Sequence, residues 1–393
     1  MDTKTTNHPE SRVLVISDAA PHRNGVGAYY ADLIDDLIPY VDEVELVSPE
    51  ISGEKWQGCW MVPLPGDSTQ KLCFPNGFQL SRKLKSFEPT VVVIPTPGLF
   101  GLVGAMLAKR QGIKVIVGFH TWFEKLASLY WNRVQGGITR TYFDVVNKAL
   151  FRLADQVLAN SQEMVDIAKN MGAKKVDLMG TPIGQNLMHT PVKRVPKLLN
   201  RVLFVGRLAA EKNLPAVIAA AKACPDIEFS IAGDGPERKS LEALAAGVEN
   251  VTLLGWVGRE RIVQLIDDHD ALVLPSKVES FGTVAMEAMA RQRLVFVSEA
   301  CGICEWSDLK QGLIVVDEDL SLADALQQYH SLSEFEIHRR CSISRQAALS
   351  HVQWNRELWL QCTQGEQVSR SVPVPVPVPA RRSLKLMYRK IRG

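Results

Sequence analysis

Short runs of uninterrupted apolar residues recur along this chain. Each ends in small or charged residues, and most lead into a helix-like segment. RVLVISDA (12–19), VELVSPE (44–50), TVVVIPTP (90–97), KVIVGFHT (114–121) and DQVLANS (155–161) form one set. RVLFVGR (201–207), IEFSIAG, VTLLGW, ALVLPS, LVFVSE and GLIVVD form a second, ending near residue 317. A strand with one wet face alternates polar and apolar residues. Runs without alternation belong to strands covered on both faces, which means a parallel sheet between layers of helix. The pattern predicts an α/β chain with two such sheets, and 393 residues is ample for two domains. SQEMVDIAKNMG reads as a helix with Ser161 as its N-cap and Gly172 as its stop. The basic, proline-containing TPVKRVPKLLN (190–200) reads as a linker, and 320–365 is helical in pattern, with Trp354 and Trp359 at apolar positions. In VPVPVPVP (372–379) alternate prolines remove backbone donors, leaving polyproline II of about 25 Å at roughly 3.1 Å per residue.

Composition excludes several classes. The net charge is only +2, so no global field marks a nucleic-acid binder. VVVIPTPGLFGLVGAMLA is broken by two prolines and three glycines, which argues for strand, turn and helix over a membrane span. The polar N-terminus is not a secretory signal, and seven cysteines without an export signal point to reduced thiols in the cytoplasm. Cys301-Gly-Ile-Cys304 is a lone CxxC. It is read either as a metal or redox pair or as a glycine-containing turn carrying two cysteines. Basic charge concentrates at the end, where Arg381, Arg382, Lys385, Arg389, Lys390 and Arg392 stand with no acid among them. Leu384, Met387 and Ile391 share one face of that segment at helical spacing. It is read either as an anionic-membrane contact, worth about 1 kcal/mol per basic residue, or as a disordered soluble tail.

Charged residues sit where the turns end. Arg207 and Lys212 lie beside one turn, and two cations there suit a diphosphate. Glu279 and Glu287, eight residues apart at another, suit hydroxyl groups, and both can serve one site only if Glu279 precedes the helix. SFGTVAMEAMA is a glycine turn opening a helix, whose free N–H groups and dipole suit phosphate. Glu287 stands among Ala285, Met286, Ala288, Met289 and Ala290, where a carboxylate needs a partner. NGVG (24–27) follows the first strand, but Tyr30 stands where the dinucleotide fingerprint needs its third glycine, so an NAD site is not expected. In parallel sheets ligands bind at the strands' carboxyl ends, and Gly25, Gly27, His120, Arg207, Asp234 and Glu279 all fall there.

VGRLAAEKN, AGDGPE and ESFGTVAMEAMA together resemble the retaining GT-B glycosyltransferases of glycosyltransferase family 4 (glycosyl transferases group 1). The resemblance covers nearly the whole chain but not the tail. It implies two Rossmann-like domains facing across a cleft: an acceptor-side domain (1–190), a nucleotide-sugar domain (200–345), a helix (346–365) crossing back to the first, and a Pro-Val linker with basic tail (366–393). It implies a metal-independent enzyme without cofactor, moving a hexose from a UDP- or GDP-sugar to a hydroxyl acceptor by front-side displacement. Arg207 and Lys212 would meet the charge of the leaving diphosphate, Glu279 the donor-sugar hydroxyls and Glu287 the ribose. Gly206, Asp234, Phe281, Gly282 and Thr283 would line the donor site, with Val257 and Trp256 beside the base. Gly25 and Gly27 would lie near the diphosphate and acceptor, and His120 near the transferred sugar, unless it is simply a satisfied strand-end histidine. The His-Thr pair resembles enzymes that glycosylate lipids, pointing to a lipid-linked acceptor in cell-envelope polysaccharide synthesis and a peripheral position on the inner membrane face.

The chain departs from the family pattern at Trp122, Pro182, Gly184, Gln292 and Leu294. Two further readings stay open: a GT-B module that binds sugar nucleotide without turnover, and a GT-B UDP-sugar epimerase.

Overall fold

The computed structural model describes residues 11–18, 25–49, 60–64, 67–120, 133–317 and 320–364. The N-terminal segment, Trp122, the Pro-Val stretch and the basic tail lie outside them. The chain divides into two compact units. One runs to Pro191 and takes in the stretch from Ser350, and the other is Val192–Leu349.

The first unit is built on a six-stranded parallel sheet of β1 (Arg12–Ile16), β2 (Glu43–Val47), β5 (Val91–Ile94), β6 (Lys114–Phe119), β7 (Gln156–Ala159) and β8 (Val176–Leu178), in the order β2-β1-β5-β6-β7-β8. The central strands are buried along their length because both faces are covered. Successive side chains of a strand point to opposite faces, and the core divides accordingly. Leu14, Ile16, Val92, Ile94, Val115 and Val117 pack in one cluster with Phe100, Leu150 and Phe151. Val13, Val15, Val91, Val93 and Ile116 pack in the other with Tyr29, Tyr30, Leu33 and Trp359. A separate antiparallel pair, β3 (Trp60–Leu64) and β4 (Asp67–Phe74), was not anticipated, nor was the short β8. Pro63 within β3 removes a donor from any longer ladder, which suits an isolated pair.

The second unit repeats the plan with β9 (Arg201–Val205), β10 (Glu228–Ala232), β11 (Val251–Gly255), β12 (Ala271–Leu274), β13 (Leu294–Ser298) and β14 (Ile314–Val316), in the order β11-β10-β9-β12-β13-β14. Strand order reverses between β9 and β12 here, and between β1 and β5 in the first unit. Loops leaving the two strands at such a switch point diverge and leave room for a ligand.

Local chemistry explains the element ends. Ser161 caps the helix Gln162–Asn170 through Met164 N (3.3 Å), and Gly172 stops it at φ 102°. Gly184 precedes the helix Gln185–His189 without a side-chain cap, since glycine has no side-chain oxygen to offer the first N–H groups. The last helix, Glu334–Gln364, is anchored in the first unit by its second half. Arg356 clasps the buried Asp36 carboxylate (Nε–Oδ2 2.9 Å), and Trp359 Nε1 donates to the Tyr29 hydroxyl (3.2 Å).

The departure at ARQRLVF has a structural answer. Gln292 adopts φ 56°, the left-handed conformation a glycine would take, so the turn keeps its geometry with a strained residue. On either side of it Arg291 and Arg293, both fully buried, share the carboxylate of Asp267 (2.9 Å from Arg291 Nε and 3.1 Å from Arg293 Nη2). Arg293 further donates to the carbonyls of Ile266 and Arg194. Gln292→Gly is expected to stabilise the second unit by about 0.5–1 kcal/mol, the relief of left-handed strain less the extra entropy of an unfolded glycine. Thermal melting should show a rise of about 1–3 °C; a fall would show that the glutamine side chain contributes more than its backbone costs.

Candidate active site

In the second unit the turns leaving β9 and β10 are locked together by their backbones. Gly206 N donates to Ala232 O (3.0 Å), Leu208 N to Asp234 O (3.0 Å), and Glu237 N back to Leu208 O (2.9 Å). Gly233 sits at φ 146°, and a Cβ there would lie 1.8 Å from Gly206 O, so the AGDG glycine is required for this approach. Asp234 is exposed. Its Oδ1 accepts from Gly235 N (2.8 Å) and its Oδ2 from Arg238 (3.5 Å), so its side chain closes its own turn. Arg207 is exposed beside Gly206, and Lys212 ends a 3-10 turn, Ala210–Lys212.

The loop after β12 meets that turn. Lys277 N donates to Glu211 O (2.7 Å), and Lys212 Nζ forms an ion pair with Glu279, each side chain 17% exposed. Thus the predicted diphosphate cation and the predicted hydroxyl carboxylate touch across the β9/β12 switch point. Glu279 precedes the helix Thr283–Ala290, as joint use with Glu287 requires; Thr283 and Glu287 are half-buried, and Phe281 and Gly282 buried. Gly282 takes φ 99° where the loop turns into the helix. Val257 and Trp256 follow β11, where Gly233 N donates to Gly255 O (2.7 Å); Trp256 is 76% exposed.

The CxxC segment is a clamp on this loop, the part of the site that the sequence left open. Cys301 forms a parallel bridge with Glu279, Gly302 N donates to Glu279 O (3.0 Å) and Ile303 N to Phe281 O (2.8 Å). A Cβ on Gly302 would lie 2.0 Å from Ser280 O. Both thiols are buried and turned to backbone oxygens, Cys301 Sγ to Leu274 O (3.4 Å) and Cys304 Sγ to Ser298 O (3.6 Å), and burial pushes them up to about 11 and about 12. They are packing thiols that do not ionise at neutral pH.

In the first unit Gly25 and Gly27 open the helix Gly25–Leu37 after β1. His120 directly follows β6 and is buried; its Nε2 lies 3.0 Å from the Tyr30 hydroxyl, and its carbonyl accepts from Asn160 Nδ2 (3.2 Å). Burial lowers its pKa to about 3, which favours the neutral ring at ordinary pH. Asp18, which the sequence reading passed over, follows β1 at the β1/β5 switch point. Its carboxylate accepts from Phe100 N and Gly101 N (3.0 Å each) at the start of the helix Leu99–Arg110. The signal was an acid at a strand end paired with the glycines of PTPGLFG, legible only once β1 and β5 are known to be neighbours.

Two parallel sheets of this order, with cation and carboxylate paired at a switch point, define a chain of two Rossmann-like domains of the GT-B kind. The family model described as Glycosyltransferase Family 4 matches residues 23–183, and that described as Glycosyl transferases group 1 matches 190–345. The chain belongs to these glycosyltransferases. It is 39% identical over 148 residues to the alpha-D-kanosaminyltransferase of Streptomyces kanamyceticus, spanning 35% of this chain but only 38% of that protein. It is 27% identical over 311 residues to the GDP-mannose-dependent alpha-mannosyltransferase of Mycobacterium tuberculosis, 74% of this chain and 80% of that one. Among solved structures, Anabaena HepE in complex with UDP-glucose superposes with a TM-score of 0.65 at 19% identity, covering 89% of this chain and 99% of that one; this likeness speaks for the fold.

Asp18 yields a test. Burial raises its pKa from 3.8 to about 6, against the hydrogen bonds from Gly101, Phe100 and Thr96 that lower it. Between those values the folded protein binds the extra proton, so this group's contribution to stability is present at low pH and is lost as pH rises through about 6. Relative to Asp18→Asn, the native protein should gain about 2 kcal/mol on going from pH 7 to pH 4.5. Denaturation of both proteins at the two pH values measures this, and a pH-independent difference would refute it.

Proposed function

We propose that the protein transfers a hexosyl group, with retention, from a UDP- or GDP-sugar to a hydroxyl acceptor, most naturally a lipid-linked saccharide or lipid. The observation that carries this reading is the meeting of Lys212 and Glu279 across the β9/β12 switch point, with Arg207 exposed on the adjoining turn. The GDP-mannose dependence named for the mycobacterial relative and the UDP-glucose held by the Anabaena protein support the donor class.

In this reading the diphosphate lies at the turn after β9 and at the start of the helix Thr283–Ala290, whose first N–H groups, with those of Phe281 and Gly282, face it. Arg207 supplies a planar fork to the phosphate oxygens and Lys212 a point charge. Negative charge grows on the diphosphate as the sugar leaves, and fixed cations stabilise that state more than the ground state. No divalent metal is needed for this charge. Glu279, paired with Lys212 before the donor arrives, takes the sugar hydroxyls, and Glu287 takes the ribose. Gly206 and Asp234 shape the phosphate turn, and Val257 lies beside the base. Gly25, Gly27 and His120 serve the transferred sugar and acceptor, with the departing diphosphate helping to deprotonate the acceptor hydroxyl on the front side.

Purified protein given UDP- and GDP-sugars should release nucleoside diphosphate. Arg207→Ala should cut that release by about 10²–10³, the scale for loss of one donor that stabilises a transition state. Donor binding without release or transfer to any acceptor would leave a binding module, and an epimeric sugar nucleotide as sole product would leave an epimerase.

No helix among the described residues is long and apolar enough to cross a membrane. We assign membrane contact to the basic segment from Arg381, on a protein otherwise in the cytoplasm. Truncation after residue 371 should abolish co-sedimentation with anionic liposomes, and unchanged co-sedimentation would remove the peripheral-membrane part of the reading.

A further inference from the structure

His120 is held by more than its backbone. Tyr30, from the helix Gly25–Leu37, is 1% exposed and brings its hydroxyl to 3.0 Å from His120 Nε2. Tyr29 packs edge-on to the same imidazole with centroids 4.5 Å apart, and Trp359 backs Tyr30 at 6.1 Å. Space for the hydroxyl exists because β6 carries glycine at 118, where a Cβ would lie 2.0 Å from Tyr30 Oη. Among the described residues, His120 Nε2 is the hydrogen-bond partner of that hydroxyl. Burial also holds the phenol well above its ordinary pKa, so it keeps its proton. Either group could donate in this pair, but if Nε2 donated, the buried phenol proton would be left without a partner among the described residues, a cost that favours the hydroxyl as donor.

We infer that Tyr30 is a positioning residue for the transfer reaction: its hydroxyl donates to His120 Nε2, fixing the neutral ring as the Nδ1–H tautomer and making Nδ1 the nitrogen that can address a sugar or phosphate oxygen. The inference rests on the proposed placement of His120 near the transferred sugar. Because the ring is neutral, its service is as an oriented N–H donor, and which nitrogen carries the hydrogen decides whether that service exists. Without Tyr30 the imidazole can turn over or change tautomer in its aromatic pocket, and donor and acceptor exchange places.

The test joins two readouts on the full-length protein. In ¹⁵N-histidine-labelled protein, His120, assigned by its loss in His120→Ala, should carry its proton on Nδ1 with Nε2 bare, and Tyr30→Phe should populate the Nε2–H form. Tyr30→Phe should also lower kcat for nucleoside diphosphate release by about tenfold, the scale of one unsatisfied buried hydrogen-bonding group, with KM within about twofold. A proton on Nε2 in the native protein overturns the inference, as does Tyr30→Phe turning over at the native rate while His120→Ala is impaired. Native turnover by His120→Ala would instead remove His120 from the site, and this inference with it. If the native protein releases no nucleoside diphosphate from any donor, the proposed function fails and the tautomer measurement alone decides the pairing.

Discussion

Burial of both faces of each sheet fixes where this chain can do chemistry. With helices over the faces, the strands' ends are the places where polar side chains can collect without desolvation cost. Reversal of strand order at β1/β5 and β9/β12 then singles out two of those ends. At the second, three loops must meet without colliding. They do so by direct backbone contact, which is why Gly233 and Gly302 are glycines: any side chain at either would strike the carbonyl of Gly206 or Ser280. The charged residues are thus mounted on turns whose own geometry is set by backbone hydrogen bonds rather than by long side chains.

The Lys212–Glu279 pair depends on that mounting and explains how two charges can be kept half-buried in one place. Each satisfies the other at 17% exposure, where a lone ammonium or carboxylate would pay for desolvation. A diphosphate arriving beside Lys212 adds an anion to a cation already partnered, so in the proposed reaction Glu279 is left freer to take sugar hydroxyls as Lys212 turns toward phosphate. Arg207, exposed on the adjoining turn, places a second cation beside the same switch point.

The apolar runs showed the two sheets because non-alternating Val, Ile and Leu have few other solutions. The loops at the β9/β12 switch point were legible for a related reason: GR, EK, AGDG and E-x₇-E place charges at turn ends whose positions follow from the strands. The two-stranded β3–β4 pair is hidden in the sequence because Pro63 interrupts the short apolar run of β3. The function of CGIC was ambiguous until its N–H groups were found on the carbonyls of Glu279 and Phe281. Gln292 departs from the family pattern in sequence, yet its backbone takes the left-handed conformation that favours glycine. Asp18 and Tyr30 were invisible as partners because their contacts, with the helix Leu99–Arg110 and with His120, join residues 82–90 positions apart.

Tyr30 shows how one departure from a motif can carry a different chemistry. A third glycine after β1 would let a helix pack close to the strands, as dinucleotide-binding chains require. Here a bulky residue stands there, and the room it needs is returned by a glycine on β6 instead. The exchange moves the small residue from helix to strand and fills the gap with a hydroxyl aimed at a histidine. A neutral imidazole so held presents one hydrogen and one lone pair in fixed directions, so under the proposed function the part it plays is a directional one.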